Sequence, residues 1–95
     1  IVTAIDPRET TGQLEQRLAD LAVPLTLQVI DQIVAGTVTR ELQDPAQVTR
    51  VRKLTKQDGR IDWTQSAEQV ERHVRGMQPW PAPFSELEQP GKPSL

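Results

Sequence analysis

One long stretch near the start of the chain has the hydrophobic spacing of an α-helix. Apolar residues recur there at steps of three and four, at Leu14, Leu18, Leu21, Leu25, Val29 or Ile30, and Ile33. Thr10-x-x-Gln13 ahead of them fits a capping box, and Gly36 stands where a left-handed cap favours glycine. We therefore predict a helix over residues 10–35. Because an interior proline removes a hydrogen bond and costs about 3 kcal/mol, we expect a kink or break before Pro24.

A second, shorter helix is predicted over residues 66–77. Ser66-x-x-Gln69 is another capping box, and a narrow apolar stripe follows it at Ala67, Val70, Val74 and Met77. The remaining charged positions are spaced for ion pairs along a solvent-facing side, at Glu68, Glu71, Arg72 and Arg75.

Between the helices the pattern is that of extended chain. Residues 37–42 alternate and are rich in β-branched side chains, and residues 48–55 could form a second extended run. Asp58-Gly59 before Arg60-Ile61-Asp62-Trp63 is a hairpin-type turn. The predicted fold is thus mainly α with a small β-hairpin or extended segments.

Prolines dominate the segment from Pro79 to Phe84. Three prolines in five residues exclude a helix and favour a stiff, extended path. Trp63 and Trp80 are the side chains that cost most to leave in water, so we interpret them as core anchors or interface plugs, with stacking on nucleic-acid bases as the alternative.

Composition limits the remaining possibilities. Only 36% of the 95 residues are apolar and three are aromatic, which predicts a thin core and marginal stability. The absence of cysteine excludes disulfides and thiolate chemistry, and a single histidine excludes a multi-histidine metal site. No apolar run approaches the roughly 18 residues of a membrane span, so a transmembrane protein is excluded and no membrane partner is expected. The chain begins with Ile1 and ends in turn chemistry, and we expect both ends to be cuts through a longer protein.

Charge is unevenly distributed along the chain. Residues 1–49 carry three basic and seven acidic side chains, whereas residues 50–75 carry seven basic and four acidic ones. Five of the cations fall in one window that holds a single acidic residue, and they are Arg50, Arg52, Lys53, Lys56 and Arg60. We call residues 50–60 the basic segment. It is the best functional candidate, since such cations contact a phosphate backbone without reading sequence, although a solvated linker has the same composition.

No catalytic constellation is found. His73 has no partner at a catalytic spacing and is interpreted as a surface or boundary histidine. Asp58 and Asp62 could form a carboxylate pair, but acid–base chemistry requires convergence on one atom and the turn explains Asp58 more simply.

The order of motifs resembles methionyl-tRNA formyltransferases. The stretch Lys53-Leu-Thr-Lys-Gln-Asp-Gly-Arg-Ile-Asp-Trp63 is similar to that family's Lys-Leu-Ser-Lys-Glu-x-x-Arg-Ile-Asp-Trp. Ser66-Ala-Glu-Gln-Val-Glu-Arg-His-Val-Arg75 resembles its Ser-Ala-x-Gln-Leu-Glu-Arg-x-Ile-Arg helix, and Gln78-Pro-Trp-Pro81 its Asn-Pro-Trp-Pro. Upstream, Ile5-Asp-Pro-Arg-Glu-Thr-Thr-Gly-Gln-Leu14 is similar to Ile-x-x-x-Asp-Thr-Ser-Gly-x-Leu.

This resemblance implies a fragment of a two-domain enzyme, inactive alone, that supplies tRNA-backbone contacts and domain orientation to the intact enzyme. The family transfers a formyl group from 10-formyltetrahydrofolate to methionyl initiator tRNA, using a Rossmann-like α/β catalytic domain, a linker and a C-terminal domain. By resemblance, residues 1–49 are the last helix and edge of the catalytic domain, residues 50–64 a basic linker, and residues 65–95 the linker helix, the Pro-Trp-Pro segment and the start of the C-terminal domain. The family's catalytic Asn, His and Asp and its Ser-Leu-Leu-Pro folate motif are not in this sequence, so we expect no catalytic, cofactor or metal residue here.

The linker is the part of the family's functional surface that the resemblance assigns to this sequence. Lys53 and Lys56 occupy positions that lie along the tRNA path in the family, and Arg50-Val51-Arg52 replaces the family's Tyr-Ala-Pro or Tyr-Ala-Glu, which adds charge. A cytoplasmic location is implied, and a severed piece would self-associate through exposed apolar helix faces. Two alternatives stay open: a stand-alone, non-enzymatic helical interaction module, and a segment of a nucleotide-sugar formyltransferase.

Overall fold

A computed structural model describes residues 1–91. Along the chain it contains helix α1 (Thr11–Ala35), a first 3-10 turn (Pro45–Gln47), a second 3-10 turn (Lys56–Gly59) and helix α2 (Ala67–Gly76). The chain divides into two compact units. Ile1–Leu14 packs with the chain from Leu54 onward to form the composite unit, and Glu15–Lys53 forms the central unit.

Helix α1 confirms the first predicted helix. The backbone N–H of Thr10 donates to Gln13 Oε1 at 3.0 Å, and the N–H of Gln13 donates to Thr10 Oγ1 at 3.2 Å, which is the predicted capping box. At the other end Gly36 has φ of 72°, and the N–H of Thr37 donates to the Gln32 carbonyl at 2.9 Å, as in a Schellman cap.

The predicted break at Pro24 does not occur. Pro24 lies inside a helix that is continuous over 25 residues. A proline deletes only its own N–H donor, and the turns on either side keep their hydrogen bonds. In the turn that follows, the Thr26 hydroxyl donates to the Ala22 carbonyl at 2.7 Å.

The apolar surface of α1 is largely exposed. Among the described residues no hydrophobic side chain is fully buried, and Leu27, Ile30 and Ile33 are all exposed. An 18-residue window of this helix has a mean hydropathy of 1.4, which corrects the expectation that no segment is long and apolar enough to cross a membrane. That expectation counted uninterrupted apolar runs, whereas a window average stays high despite Asp20 and Asp31 because most of the other residues are strongly apolar. The core helix of a soluble protein meets the same criterion.

The predicted hairpin is wrong. Residues 1–91 contain no β-strand, and residues 37–42 and 48–55 are irregular. Asp58 and Gly59 belong to the second 3-10 turn. The next residue, Arg60, forms an isolated parallel bridge with Phe84, so this backbone pairs with a distant segment instead of with its neighbour.

Helix α2 confirms the second predicted helix. The N–H of Ser66 donates to Gln69 Oε1 and the N–H of Gln69 donates to Ser66 Oγ, both at 3.2 Å. These two bonds satisfy amides that have no partner within the helix.

The proline-rich segment does not follow the predicted extended path. The chain turns over residues 77–81, and the N–H of Ala82 donates back to the Met77 carbonyl at 2.9 Å. The bond spans both Pro79 and Pro81, which have no N–H of their own. Ala82 has φ of 74°, and the Gln78–Pro79 and Trp80–Pro81 peptide bonds are cis. The turn and the hydrogen bond from Ala82 to Met77 reverse the chain after α2.

Candidate functional site

The five predicted phosphate-binding cations are all exposed. The structure assigns Arg50, Arg52 and Lys53 to the central unit, and Lys56 and Arg60 to the composite unit. Lys53 and Lys56 are three residues apart, so chain geometry limits their Cα separation to about 11 Å.

Two of the five cations have local partners. Arg52 Nη1 donates to the Lys53 carbonyl at 3.3 Å. Arg60 Nη2 lies 3.5 Å from Glu86 Oε2, with both side chains exposed. An exposed pair of this kind contributes little to stability, but it offsets the charge of Arg60. Arg50, Lys53 and Lys56 are therefore the stronger candidates for contacts with an anion.

The second 3-10 turn fixes the backbone around Lys56. Asp58 Oδ2 accepts the N–H of Thr55 at 2.6 Å and the Thr55 hydroxyl at 3.1 Å. The carboxylate thus acts as a cap. The pattern Thr55-x-x-Asp58 is itself a capping-box signature, and it could have identified this turn from the sequence.

Asp62 is also engaged locally. Its Oδ1 accepts the Thr64 hydroxyl at 2.6 Å and the Thr64 N–H at 3.0 Å. These hydrogen bonds, the one from the hydroxyl first, lower the pKa of the Asp62 carboxyl below its ordinary value. A carboxylate made less basic in this way is poorly suited to general-base chemistry.

His73 connects α2 to the second 3-10 turn. Its Nε2 lies 2.7 Å from the Asp58 carbonyl oxygen. Since a carbonyl only accepts, Nε2 carries the proton in this contact. Nδ1 is buried, with no hydrogen-bond partner among the described residues. The half-buried ring fits the predicted boundary histidine, and its structural contact with residue 58 was not visible in the sequence.

The backbone beyond the basic segment is joined to the chain after the prolines. The N–H of Phe84 donates to the Gly59 carbonyl, and the N–H of Ile61 donates to the Phe84 carbonyl, each at 2.9 Å. Gly59 is buried, and a Cβ added there would collide with the Ala82 carbonyl oxygen. We call this contact between residues 59–61 and 82–84 the backbone clasp.

The two tryptophans are not core anchors. Trp63 is 65% exposed and Trp80 is 56% exposed. The indole N–H of Trp63 donates to Ser85 Oγ at 2.8 Å, next to the backbone clasp. Their exposure leaves an interface role or base stacking as the remaining interpretations.

The ion pairs predicted along α2 are present. Arg72 pairs with Glu68 and Arg75 with Glu71, each at 2.5 Å. The hydrogen bond from Arg75 is the main reason that the pKa of Glu71 lies below its ordinary value. Arg75 is only 20% exposed, however, so it does not belong to a purely solvated face.

Comparison with known proteins gives a consistent result. Residues 53–92 match the family described as formyl transferase, C-terminal domain. The methionyl-tRNA formyltransferase of Desulfotalea psychrophila is 44% identical over 82 residues, which is 86% of this chain and 25% of the relative. Those of Pseudomonas fluorescens and Marinobacter nauticus are 41% and 36% identical, over 92% and 90% of this chain and 27% of each relative.

The chain thus spans about a quarter of the length of the curated relatives it matches. The C-terminal-domain match begins at residue 53, where the central unit ends. The resemblance found in the sequence motifs is therefore confirmed: over most of its length this chain is similar to a segment of the methionyl-tRNA formyltransferases, and its residues 53–92 match the formyl transferase C-terminal domain.

Proposed function

We propose that this chain is the connecting segment of a methionyl-tRNA formyltransferase and that it contributes contacts to the tRNA backbone. The observation that carries the proposal is the 36–44% identity over most of the chain. Residues 1–49 would end the catalytic domain, residues 50–64 would form the linker, and residues 65–95 would hold the linker helix and begin the C-terminal domain. The enzyme would work in the cytoplasm.

The formyl-transfer chemistry belongs to the rest of the enzyme in this proposal. The donor would be 10-formyltetrahydrofolate and the acceptor the amino group of methionyl initiator tRNA. Two of the side chains that could act on the donor are engaged elsewhere, since His73 is bound to a backbone carbonyl and Asp62 to Thr64. The segment alone would therefore be inactive.

The exposed apolar face of α1 also supports the proposal that another part of the enzyme packs against this helix. Leu27, Ile30 and Ile33 are exposed on a helix long enough to belong to a domain core. The part of the enzyme that precedes this chain would cover them, and the isolated segment would self-associate through the same face.

The basic segment would bind phosphates through Lys53 and Lys56, supported by Arg50, Arg52 and Arg60. All five side chains are exposed. A lysine that neutralises a phosphate releases a counterion, so its contribution depends on salt and not on sequence. The capped turn at Thr55 and Asp58 would fix the protein backbone at Lys56. The exposed Lys56 side chain would still be able to reach the phosphates of the tRNA backbone.

The test is charge reversal in the full-length protein. We expect Lys53→Glu with Lys56→Glu to weaken binding of methionyl-tRNA and to reduce the slope of log K against log salt by about 1 per lysine. Arg40→Glu, an exposed cation outside the basic segment, is the matched control and should leave the slope unchanged. An unaltered slope in the double variant would refute the assignment of the two lysines.

A further inference from the structure

The beginning of α1 and the end of α2 are in direct contact within the composite unit. The Thr11 hydroxyl donates to the Gly76 carbonyl at 2.5 Å, and the N–H of Gly12 donates to the Gln78 carbonyl at 3.0 Å. Arg75 Nη1 donates to the Glu9 carbonyl at 3.0 Å. We call these three hydrogen bonds the latch.

The latch satisfies groups that a helix cannot satisfy by itself. The first N–H groups of a helix and its last carbonyls lack partners within the helix. Here the N–H of Gly12 at the start of α1 and the carbonyl of Gly76 at the end of α2 each find a partner on the other segment. The positive end of one helix dipole faces the negative end of the other, which adds favourable electrostatics.

The latch also depends on shape. A Cβ added at Gly12 would lie 2.9 Å from Pro79 Cδ, closer than side-chain carbons approach one another. Arg75 is held for its contact by the Glu71 carboxylate, which accepts from Nε at 2.5 Å. Thr11 and Gly12 are thus fitted to residues 76–79, about 65 positions along the chain.

We propose that Thr11 and Gly12 are positioning residues for formyl transfer. Through the latch, Thr11 and Gly12 fix the end of α2. Helix α2 in turn fixes the second 3-10 turn, which carries Lys56, because His73 on α2 is hydrogen-bonded to the Asp58 carbonyl. This inference rests on the proposed function, in which α1 belongs to the catalytic domain and the basic segment binds tRNA. The latch then fixes how the bound tRNA presents its methionyl amino group, without touching substrate.

The experiment compares threonine variants of the full-length protein. Thr11→Val keeps the branched shape but removes the hydroxyl, and we expect kcat at saturating methionyl-tRNA to fall about 5-fold, the effect of one hydrogen bond. The Kd for tRNA and its salt dependence should stay within about 2-fold, because a positioning residue does not contact tRNA. Thr11→Ser should restore kcat.

Thr26→Val is the matched control. Its hydroxyl also bonds to a carbonyl of the chain, that of Ala22, but the contact is local to α1 and outside the latch. Its kcat should equal that of the wild type. If Thr11→Val and Thr26→Val have the same kcat, or if Thr11→Ser fails to restore activity, the positioning role is refuted.

A second variant and a second readout separate this inference from the proposed function. Gly12→Ala should lower kcat about 10-fold, since the new methyl group pushes Pro79 away. In Thr11→Val, hydrogen exchange at the Gly12 amide should accelerate whether or not the enzyme acts on tRNA. A wild-type protein without formyltransferase activity would overturn the proposed function and the positioning role together. Accelerated exchange with unchanged kcat would overturn the positioning role alone.

Discussion

The backbone clasp leads to a sharp prediction at Gly59. Gly59→Ala introduces a Cβ that collides with the Ala82 carbonyl oxygen and lies 3.1 Å from the carbonyl carbon of the same residue. Both are backbone atoms, so no side chain can rotate away. Ala82 already has φ of 74° and a hydrogen bond to Met77, which limits how far it can move.

The expected cost follows from overpacking. Inserting a methyl group into a closely packed position costs about 1–3 kcal/mol. The displacement also weakens the two hydrogen bonds that join Gly59 and Ile61 to Phe84, each contributing about 0.5–1.5 kcal/mol. Because these effects overlap, we expect about 2 kcal/mol in total, or about a 30-fold faster exchange at the Ile61 and Phe84 amides.

Native-state hydrogen exchange in the full-length protein measures this effect locally. The matched control is Gly76→Ala, since a Cβ at Gly76 meets nothing within 4 Å. That substitution at a helix end should leave exchange at the Ile61 and Phe84 amides unchanged and stabilise α2 slightly. If Gly59→Ala and Gly76→Ala give exchange rates within about 2-fold of each other at these amides, the steric argument is refuted.

Two further predictions concern α2. Ser66→Ala should destabilise the helix by about 1 kcal/mol, because the Gln69 amide loses its cap, and Ser66→Thr should retain most of the stability in chemical denaturation. Because folding lowers the pKa of Glu71, the folded state binds fewer protons, so this contribution is fully present above the ordinary glutamate pKa and is lost as pH falls through the lowered one. Glu71→Gln should therefore be less stable than wild type at neutral pH and equally stable in acid, and a constant difference in melting temperature across that range would contradict the interpretation.

The helices were predictable because their signals are local. The capping pairs at Thr10 and Ser66 and the glycine at position 36 each act within four residues of the structure they determine. Periodicity likewise reports which face of a helix is apolar, wherever its partner lies. For these elements, short-range chemistry and tertiary structure agree.

The predicted strands did not form, because a strand needs a partner elsewhere in the chain and local sequence signals do not supply one. The β-branched residues at 37–42 favour extended backbone, but without a partner strand no ladder forms. Asp58-Gly59 was interpreted as a hairpin turn, although the carboxylate of Asp58 prefers to cap Thr55, which selects a 3-10 turn instead. Where a dipeptide is compatible with two kinds of turn, the neighbouring residues determine which turn forms.

For the candidate site, the sequence predicted which charged residues are present but not how they pair with one another. The exposed positions of Lys53 and Lys56 follow from their sequence, but the pairing of Arg60 with Glu86 depends on the clasp. The clasp forms because the chain reverses over residues 77–81 and brings Phe84 back to Gly59. A proline-rich segment permits either an extended path or a reversal, and composition does not distinguish them.

The latch and the clasp share one physical basis that explains how so small a chain is organised. With no hydrophobic side chain fully buried among residues 1–91, packing supplies little of the specificity in the composite unit. Backbone groups left over at helix and turn ends supply it instead, since each must find a partner. The Gly76 and Gln78 carbonyls meet the start of α1, and the Gly59 carbonyl meets Phe84. Glycine stands at both closest approaches, because a Cβ at Gly12 would meet Pro79 Cδ and a Cβ at Gly59 would meet the Ala82 carbonyl oxygen. The motifs that resemble the formyltransferases therefore include the positions at which distant parts of this segment are joined, and the exposed Lys56 lies three residues along the chain before one of those junctions, at Gly59.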